Sequence, residues 1–272
     1  MVRMARFACQ LVLGVMLAAG IPATCLAWGE IGHRVVAEIA LHHMLERAIA
    51  ESRLLLGGPD RFVDLSMWAD EFRDDNAYTY PWHVVDIPID AMGYDRARDC
   101  GDGRCVVEKI KDFAVILAES RMPLEARADA LVFLIHLVGD IHNPFHTVET
   151  DMWVSLDGKA ESLHLWWDNE FPEALGSDEV EVADRILEQF APDERRQWAA
   201  GTPEEWAEES LMLTRGFVTT HGLLEAMRDT VTPPDKPIML PSAVLEEVKP
   251  VVARRLAMAG VRLAWLLDHA LR

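Results

Sequence analysis

Residues 136–146 read HLVGDIHNPFH and follow directly on the apolar run ALVFLI at 130–135. Three histidines and an aspartate at the edge of a core segment constrain the fold strongly. Buried polar groups cost free energy unless something pairs with them. Either these side chains satisfy one another, or they hold something that the chain does not encode. His136 and Asp140 are four apart and share one face of a helix. Asn143-Pro144 then stops or kinks that helix, and His146 lies just beyond the break. A helix delivering two ligands and a turn delivering a third would build a metal site. A pair of hydrogen-bonded core histidines beside a capping aspartate is the other reading of the same residues.

Elsewhere the pattern is mainly helical. Apolar residues recur near a 3.6 period over 28–56, 105–119 and 123–142, the last with a proline at its start. Helical patterns also fill the region from 178 to the C-terminus. Asp64 and Ser66 are candidate caps for a helix at 69–73. Residues 78–90 read as extended, 94–105 as a polar loop, and 163–170 as a resumed helix. Asp157-Gly158 is a turn pair after an extended MWVSL, which suggests a small hairpin. VTPPDKP at 231–237 is the most loop-like stretch, and no repeat is found. The expected architecture is one all-α, mainly helical domain over 28–272 with a possible β-hairpin.

MVRMAR followed by FACQLVLGVMLAAGI and TCLA has the form of a secretory signal, with cleavage expected after Ala27. An uncleaved anchor is the alternative, and no other run is long and apolar enough to span a bilayer. Export implies a periplasmic or secreted destination. It also makes Cys100 and Cys105, which flank GDGR, a candidate disulfide. The chain's net charge is −19; residues 1–27 carry Arg3 and Arg6 and no acid, so the remainder bears −21. That balance excludes nucleic-acid binding through a broad basic surface. A polyanionic substrate would be held locally, by a few cations or by metal ions that offset the acids.

Further ligand types lie outside 136–146: His33 in WGEIGH, Asp70 in WAD, His83 in PWH, and His164 with Asp168 in LHLWWD. Together with His136, Asp140 and His146 they form the nitrogen and oxygen mix that zinc accepts.

In these motifs the sequence resembles the secreted zinc-dependent single-strand-specific nucleases and 3′-nucleotidases of the mung bean nuclease type. That family shares its helical fold with zinc-dependent phospholipases C. The resemblance runs from WGEIGH through WADEFR, WHVVD, DCGDGRC, HLVGDIHNPFH and LHLWWD to AGVRLAWLL. It implies three zinc ions. Asp70, His83, His136 and Asp140 would hold one. Trp28, through its α-amine and carbonyl, would hold a second with His33 and the other oxygen of Asp140. His146, His164 and Asp168 would hold the third. Asp140 would bridge the first two ions, which activate a shared water for in-line attack on phosphorus. Only cleavage after Ala27 frees the Trp28 amine, so export and activation would be coupled. Arg73 matches an arginine that stabilises phosphoryl charge, and Asp86 an aspartate that hydrogen-bonds the base. Without the resemblance, Arg73 reads as a surface partner for nearby aspartates and Asp86 as an exposed loop carboxylate. His142 falls at no zinc position and reads as a group behind the ligands or at the helix end.

The sequence departs from this family at two places. Val84 stands where an aromatic residue usually stacks on a base, leaving Tyr78, Tyr80 or Trp82 as substitutes. The connection between His146 and His164 is short and lacks a Gly-Gly-Asn stretch. The implied activity is hydrolysis of single-stranded DNA and RNA to 5′-phosphate products, with 3′-nucleotidase activity, by a monomer without stable protein partners or a membrane. A phospholipase C of the same fold and a non-catalytic metal-binding protein are the competing readings.

Overall fold

The apolar run that precedes the ligands forms the buried half of a central helix. In the computed structural model, which describes residues 28–58, 60–150, 152–229 and 235–272, every residue from Ala130 to Asp140 is buried. The expected signal at 1–27 lies outside the described residues. In chain order the helices are α1 (Glu30–His43), α2 (Glu46–Leu56), α3 (Arg61–Asp64), α4 (Trp68–Asp75), α5 (Arg96–Asp99), α6 (Val106–Ala118) and α7 (Leu124–Asp140). After them come α8 (Leu163–Leu165), α9 (Phe171–Glu173), α10 (Glu179–Gln189), α11 (Pro192–Trp198), α12 (Pro203–Thr220), α13 (Leu224–Asp229) and α14 (Ala243–Ala270). Helix α14 packs along α1 and reaches α7, and α6 lies alongside α7. A helix surrounded in this way is apolar on all sides, which is why 130–138 shows little polar periodicity.

Local chemistry explains several boundaries. Thr202 and Glu205 form a reciprocal capping box at the start of α12, with Pro203 in the first turn. The expected helix at 28–56 breaks at Met44 and Leu45, whose backbones are extended, and the Leu45 N–H donates to Asp268 Oδ1 at 2.9 Å. Asp64 and Ser66 do not cap: Asp64 ends α3, and α4 starts after Met67 without a side-chain cap. Residues 77–83 are a 3-10 helix instead of an extended segment. Trp82 anchors it edge-on against Phe113 and Phe133, and the extended backbone begins at Val84. Within the expected loop at 94–105, Asp95 caps the short α5 by accepting from the Ala97 and Arg98 N–H groups.

Asp157 and Gly158 both take positive φ, 52° and 84°, closing the hairpin of β1 (Trp153–Leu156) and β2 (Lys159–Ser162). A third strand, β3 (Ile238–Met239), joins β1 in parallel, with Val154 opposite Ile238. No local pattern in the chain signals this long-range pairing. Cys100 and Cys105 are joined by a disulfide with a Cα–Cα distance of 5.6 Å. Among the described residues, no helix is long and apolar enough to cross a membrane.

Candidate metal centre

The end of α7 gathers side chains from five segments. Asp140 is fully buried, and its two oxygens face different neighbours. Oδ2 lies 3.0 Å from His83 Nδ1 and 3.3 Å from His136 Nε2, whereas Oδ1 lies 3.3 Å from His33 Nε2 and 3.9 Å from His146 Nδ1. Asp70, from α4, closes one side: its Oδ1 is 3.6 Å from His136 Nε2 and 3.7 Å from His83 Nδ1. His33 stacks on His136 with ring centroids 3.9 Å apart. A Cβ at Gly139 would sit 2.8 Å from His33 Nδ1, so this position has room only for glycine.

A second cluster adjoins the first. Asp168 Oδ1 lies 3.4 Å from His146 Nε2 and 3.6 Å from His164 Nε2. Its segment is not the expected α-helix. Trp166–Glu170 is a π-helical turn, a local irregularity often found at functional sites. Trp28 is buried beside these groups. Its indole Nε1 donates to the Gly139 carbonyl at 2.9 Å, and the following Gly29 N–H donates to the Asp168 carbonyl.

Backbone carbonyls orient two of the imidazoles. His136 Nδ1 lies 2.7 Å from the Ser66 carbonyl and His146 Nδ1 3.0 Å from the His83 carbonyl. A carbonyl only accepts, so each Nδ1 carries a proton, and Nε2 is the atom of each ring aimed into the cluster and free to ligate once the ring is neutral. Those Nε2 atoms have no hydrogen-bond partner among the described residues. The same holds for both Asp70 oxygens, Asp140 Oδ1, His83 Nε2 and both His33 nitrogens. So many unpartnered buried acceptors and ligand atoms are costly in a protein interior. Three triads have ligand atoms within 4.8 Å of one another: His33–Asp70–His136, His83–His136–Asp140 and His146–His164–Asp168. This donor set fits divalent cations.

The protein alone answers this crowding by shifting protons. Burial opposes charge on Asp70, but His136, His83 and Arg73 hold its carboxyl down at about 2. Burial likewise opposes charge on His136, yet Asp140 and Asp70 raise it to about 10. Burial lowers His33 and His164 to about 4 and pushes Asp168 up to about 8.

Arg73 is buried and forms an ion pair with Asp70, one terminal nitrogen lying 3.0 Å from Asp70 Oδ1; the other has no hydrogen-bond partner among the described residues. Its guanidinium lies over the Tyr80 ring, 5.5 Å from the centroid. Beyond Tyr80 an open cleft of about 350 Å³ borders His164 and is lined by Val84, Asp86, Glu149 and Trp153. Asp86 is exposed by surface area, but partial desolvation on the cleft wall, followed by the nearby Glu149 charge, raises its carboxyl above the usual carboxylate range. Of the aromatic residues considered for stacking, Tyr80 lines the cleft. Trp82 is packed against Phe113 and Phe133, and Tyr78 lies edge-on to Trp82.

Sequence reasoning missed the groups that hold the ligand-bearing turn. The Ile141 carbonyl accepts from Ser210 Oγ at 2.6 Å, the His142 carbonyl from Arg255 Nε at 3.0 Å, and the Pro144 carbonyl from Thr214 Oγ1 at 2.6 Å. Arg255 also donates to Ser210 Oγ at 2.6 Å, and it shares Glu209 with Arg262. His142 belongs to this network and not to the ligand clusters. Its Nδ1–H donates to the Val138 carbonyl, and its Nε2 accepts from Arg262 at 2.9 Å.

The S1/P1 nuclease family profile matches residues 28–272. Nuclease S1 of Aspergillus oryzae is 28% identical over 262 residues, covering 89% of this chain and 91% of that protein. Nuclease P1 of Penicillium citrinum is 30% identical over 160 residues, 54% of this chain and 59% of that protein. Endonuclease 2 of Arabidopsis thaliana is 26% identical over 277 residues, 89% of this chain and 90% of that protein.

Proposed function

Because the chain belongs to the S1/P1 nuclease family, we propose that residues 28–272 act as one exported, zinc-dependent catalytic domain. It hydrolyses single-stranded DNA and RNA to products with 5′-phosphate and 3′-hydroxyl ends and removes 3′-phosphates from nucleotides. The observation that carries this reading is the pair of His/Asp clusters flanking Asp140, with their buried ligand atoms unpartnered. Within these groups the closest ligand-type atoms lie 3.0–3.7 Å apart, so each group would fit around one small divalent cation.

In this reading Asp70, His83, His136 and Asp140 hold one ion. Trp28, His33 and Asp140 hold a second, and His146, His164 and Asp168 a third. Bound ions supply water activation near neutral pH and charge neutralisation at the leaving oxygen. The chain's own residues do the rest. Asp140 presents one oxygen to each side of the first cluster, fixing their spacing. Ser66 and His83 carbonyls hold the imidazoles of His136 and His146 in the ligating tautomer. Arg73, kept in place by Asp70, turns its second nitrogen toward a phosphoryl oxygen; preorganised charge of this kind lowers the barrier without reorganisation. Asp86, on the cleft wall, accepts from a base. Removal of residues 1–27 converts the Trp28 amide into an amine, so export completes the ligand set.

The test is digestion of a single-stranded oligonucleotide by protein starting at Trp28, with end-group analysis. Chelator-sensitive products with 5′-phosphate and 3′-hydroxyl ends are expected. Products with 3′-phosphate ends, or cleavage that survives chelation, would overturn the reading.

A further inference from the structure

Only Ile141 and His142 stand between Asp140, which serves the first cluster, and Asn143, whose side chain holds Asp168 of the second. His142 is gripped at two points. Its carbonyl accepts from Arg255 Nε at 3.0 Å, and its ring Nε2 accepts from Arg262 at 2.9 Å. Both arginines are buried, and two guanidinium charges converging on one residue repel each other. Glu209 answers both. Its Oε2 lies 3.1 Å from Arg255 and 2.6 Å from Arg262, and the other terminal nitrogen of Arg262 reaches Oε1 at 2.8 Å. Among the described residues no other carboxylate forms an ion pair with either arginine. Trp206 closes the unit: the Arg262 guanidinium lies 5.4 Å from its ring centroid, and the His142 ring lies 5.5 Å from it. A two-nitrogen fork on a carboxylate fixes direction as well as charge.

We propose that Glu209, acting through Arg262 and Arg255 on His142, is a positioning residue that sets the separation of the two ligand clusters. The proposal rests on the nuclease reading of the metal centre and deepens it by naming a residue outside the ligand set on which turnover depends. Asp140 is the last residue of α7, so the chain beyond it has left the helical ladder. Its carbonyls at 141, 142 and 144 are held instead by side chains of α12 and α14. Ser210 and Thr214 contribute hydroxyls, which are neutral and free to rotate. The guanidinium pair contributes rigid, charged contacts, and it stays together because Glu209 neutralises it. Without that charge the two arginines part or draw in water, and His142 loses its grip. Asp140 and Asn143 then move relative to each other, and with them the two clusters. Chemistry that spans both clusters is sensitive to such a shift, since a misplacement of about 1 Å can cost about 10²-fold in rate.

The test loads wild type, Glu209→Gln and His142→Phe with zinc and measures metal content, kcat and KM on a single-stranded oligonucleotide, well below each melting midpoint. Glu209→Gln keeps the side chain's shape and removes its charge. His142→Phe removes only the ring acceptor and leaves the carbonyl held, so it carries the test if the first variant does not fold. Each should lower kcat by about 10- to 100-fold, with KM and zinc content near wild type. In the double variant the two losses should not multiply, because both act through one chain of contacts. Cobalt-loaded protein gives a readout that needs no turnover: both variants should shift its visible absorption bands, which follow ligand geometry. Leu55→Ala, a core variant on α2 that lowers stability without touching the clamp, should keep wild-type kcat and bands. Wild-type kcat and bands in folded, metal-loaded Glu209→Gln or His142→Phe would overturn the proposal, and so would equal losses in Leu55→Ala. Shifted cobalt bands without cleavage by wild type would remove the nuclease reading and keep the positioning role; cleavage with unshifted bands and unchanged kcat would do the reverse.

Discussion

Asn143 ties the two halves of the metal centre together: its side-chain N–H donates to Asp168 Oδ1 at 2.8 Å. Its amide orientation is fixed, because its own oxygen accepts from the Phe145 N–H at 3.0 Å. The turn after α7 thereby sets the carboxylate carried by the π-helical turn. Partners of this kind are worth about 10- to 100-fold in metal affinity. Asn143→Ala should lose that much at the His146–His164–Asp168 cluster, measured by competition with a zinc-binding dye. Unchanged affinity would show that Asp168 needs no tether.

Metal-free protein should become less stable as pH rises from about 6.5 to 8. His136 is raised to about 10 from an unfolded value of 6.5, so its contribution is complete below 6.5 and drains away toward 10. Asp168 is raised to about 8 from 3.8; its neutral form suits the fold, and stability is lost as pH climbs from about 4 to 8. Metal-loaded protein should show the opposite trend, because ligands must be deprotonated to bind. Urea melts of chelated wild type and of Asp168→Asn check this. The substitution should remove part of the falling limb, and identical slopes would contradict it.

Arg73 should matter to turnover more than to metal content. Arg73→Ala is expected to lower kcat by about 10²–10³, in line with loss of one preorganised charge donor, while zinc content stays near wild type. Arg73→Lys should recover little, since a point charge cannot bond Asp70 and a phosphoryl oxygen in one plane. A kcat within threefold of wild type would assign Arg73 to pairing with Asp70 alone.

How far the sequence could be read depended on the kind of contact. His136 and Asp140, and His164 and Asp168, announce themselves by four-residue spacing, and the side chains singled out on residue type are those that cluster. The mainly helical class followed from periodicity. Carbonyl contacts leave no trace: any residue at 66 offers a carbonyl to His136, and by residue type alone Ser66 reads as a cap. The hold of Ser210 and Arg255 on residues 141–142 spans 69 and 113 positions. It became visible only once α12 and α14 had packed against α7. The 3-10 turn at 77–83 was hidden for the same reason, since tertiary packing of Trp82 outweighs the local preference around Pro81.

That long-range hold has its own expected outcome. Ser210→Ala removes the donor to the Ile141 carbonyl and the acceptor for Arg255 while leaving both buried. The cost should be about 1–3 kcal/mol, read as a shifted urea midpoint with an unchanged slope. Arg255→Ala should cost more, about 3–5 kcal/mol, because part of the Glu209 charge loses its partner. A midpoint within error of wild type for both would show that the turn is held by α7 alone.

The central claim is that the two clusters flanking Asp140 hold the ions on which cleavage depends. The most direct measurement is a zinc titration of chelated protein beginning at Trp28, following bound metal and single-strand cleavage in the same samples. We expect activity to return in step with binding and to plateau near three ions per chain, with Asp140→Asn falling short in both. Full cleavage before any zinc is bound, or a plateau in binding without cleavage, would contradict it.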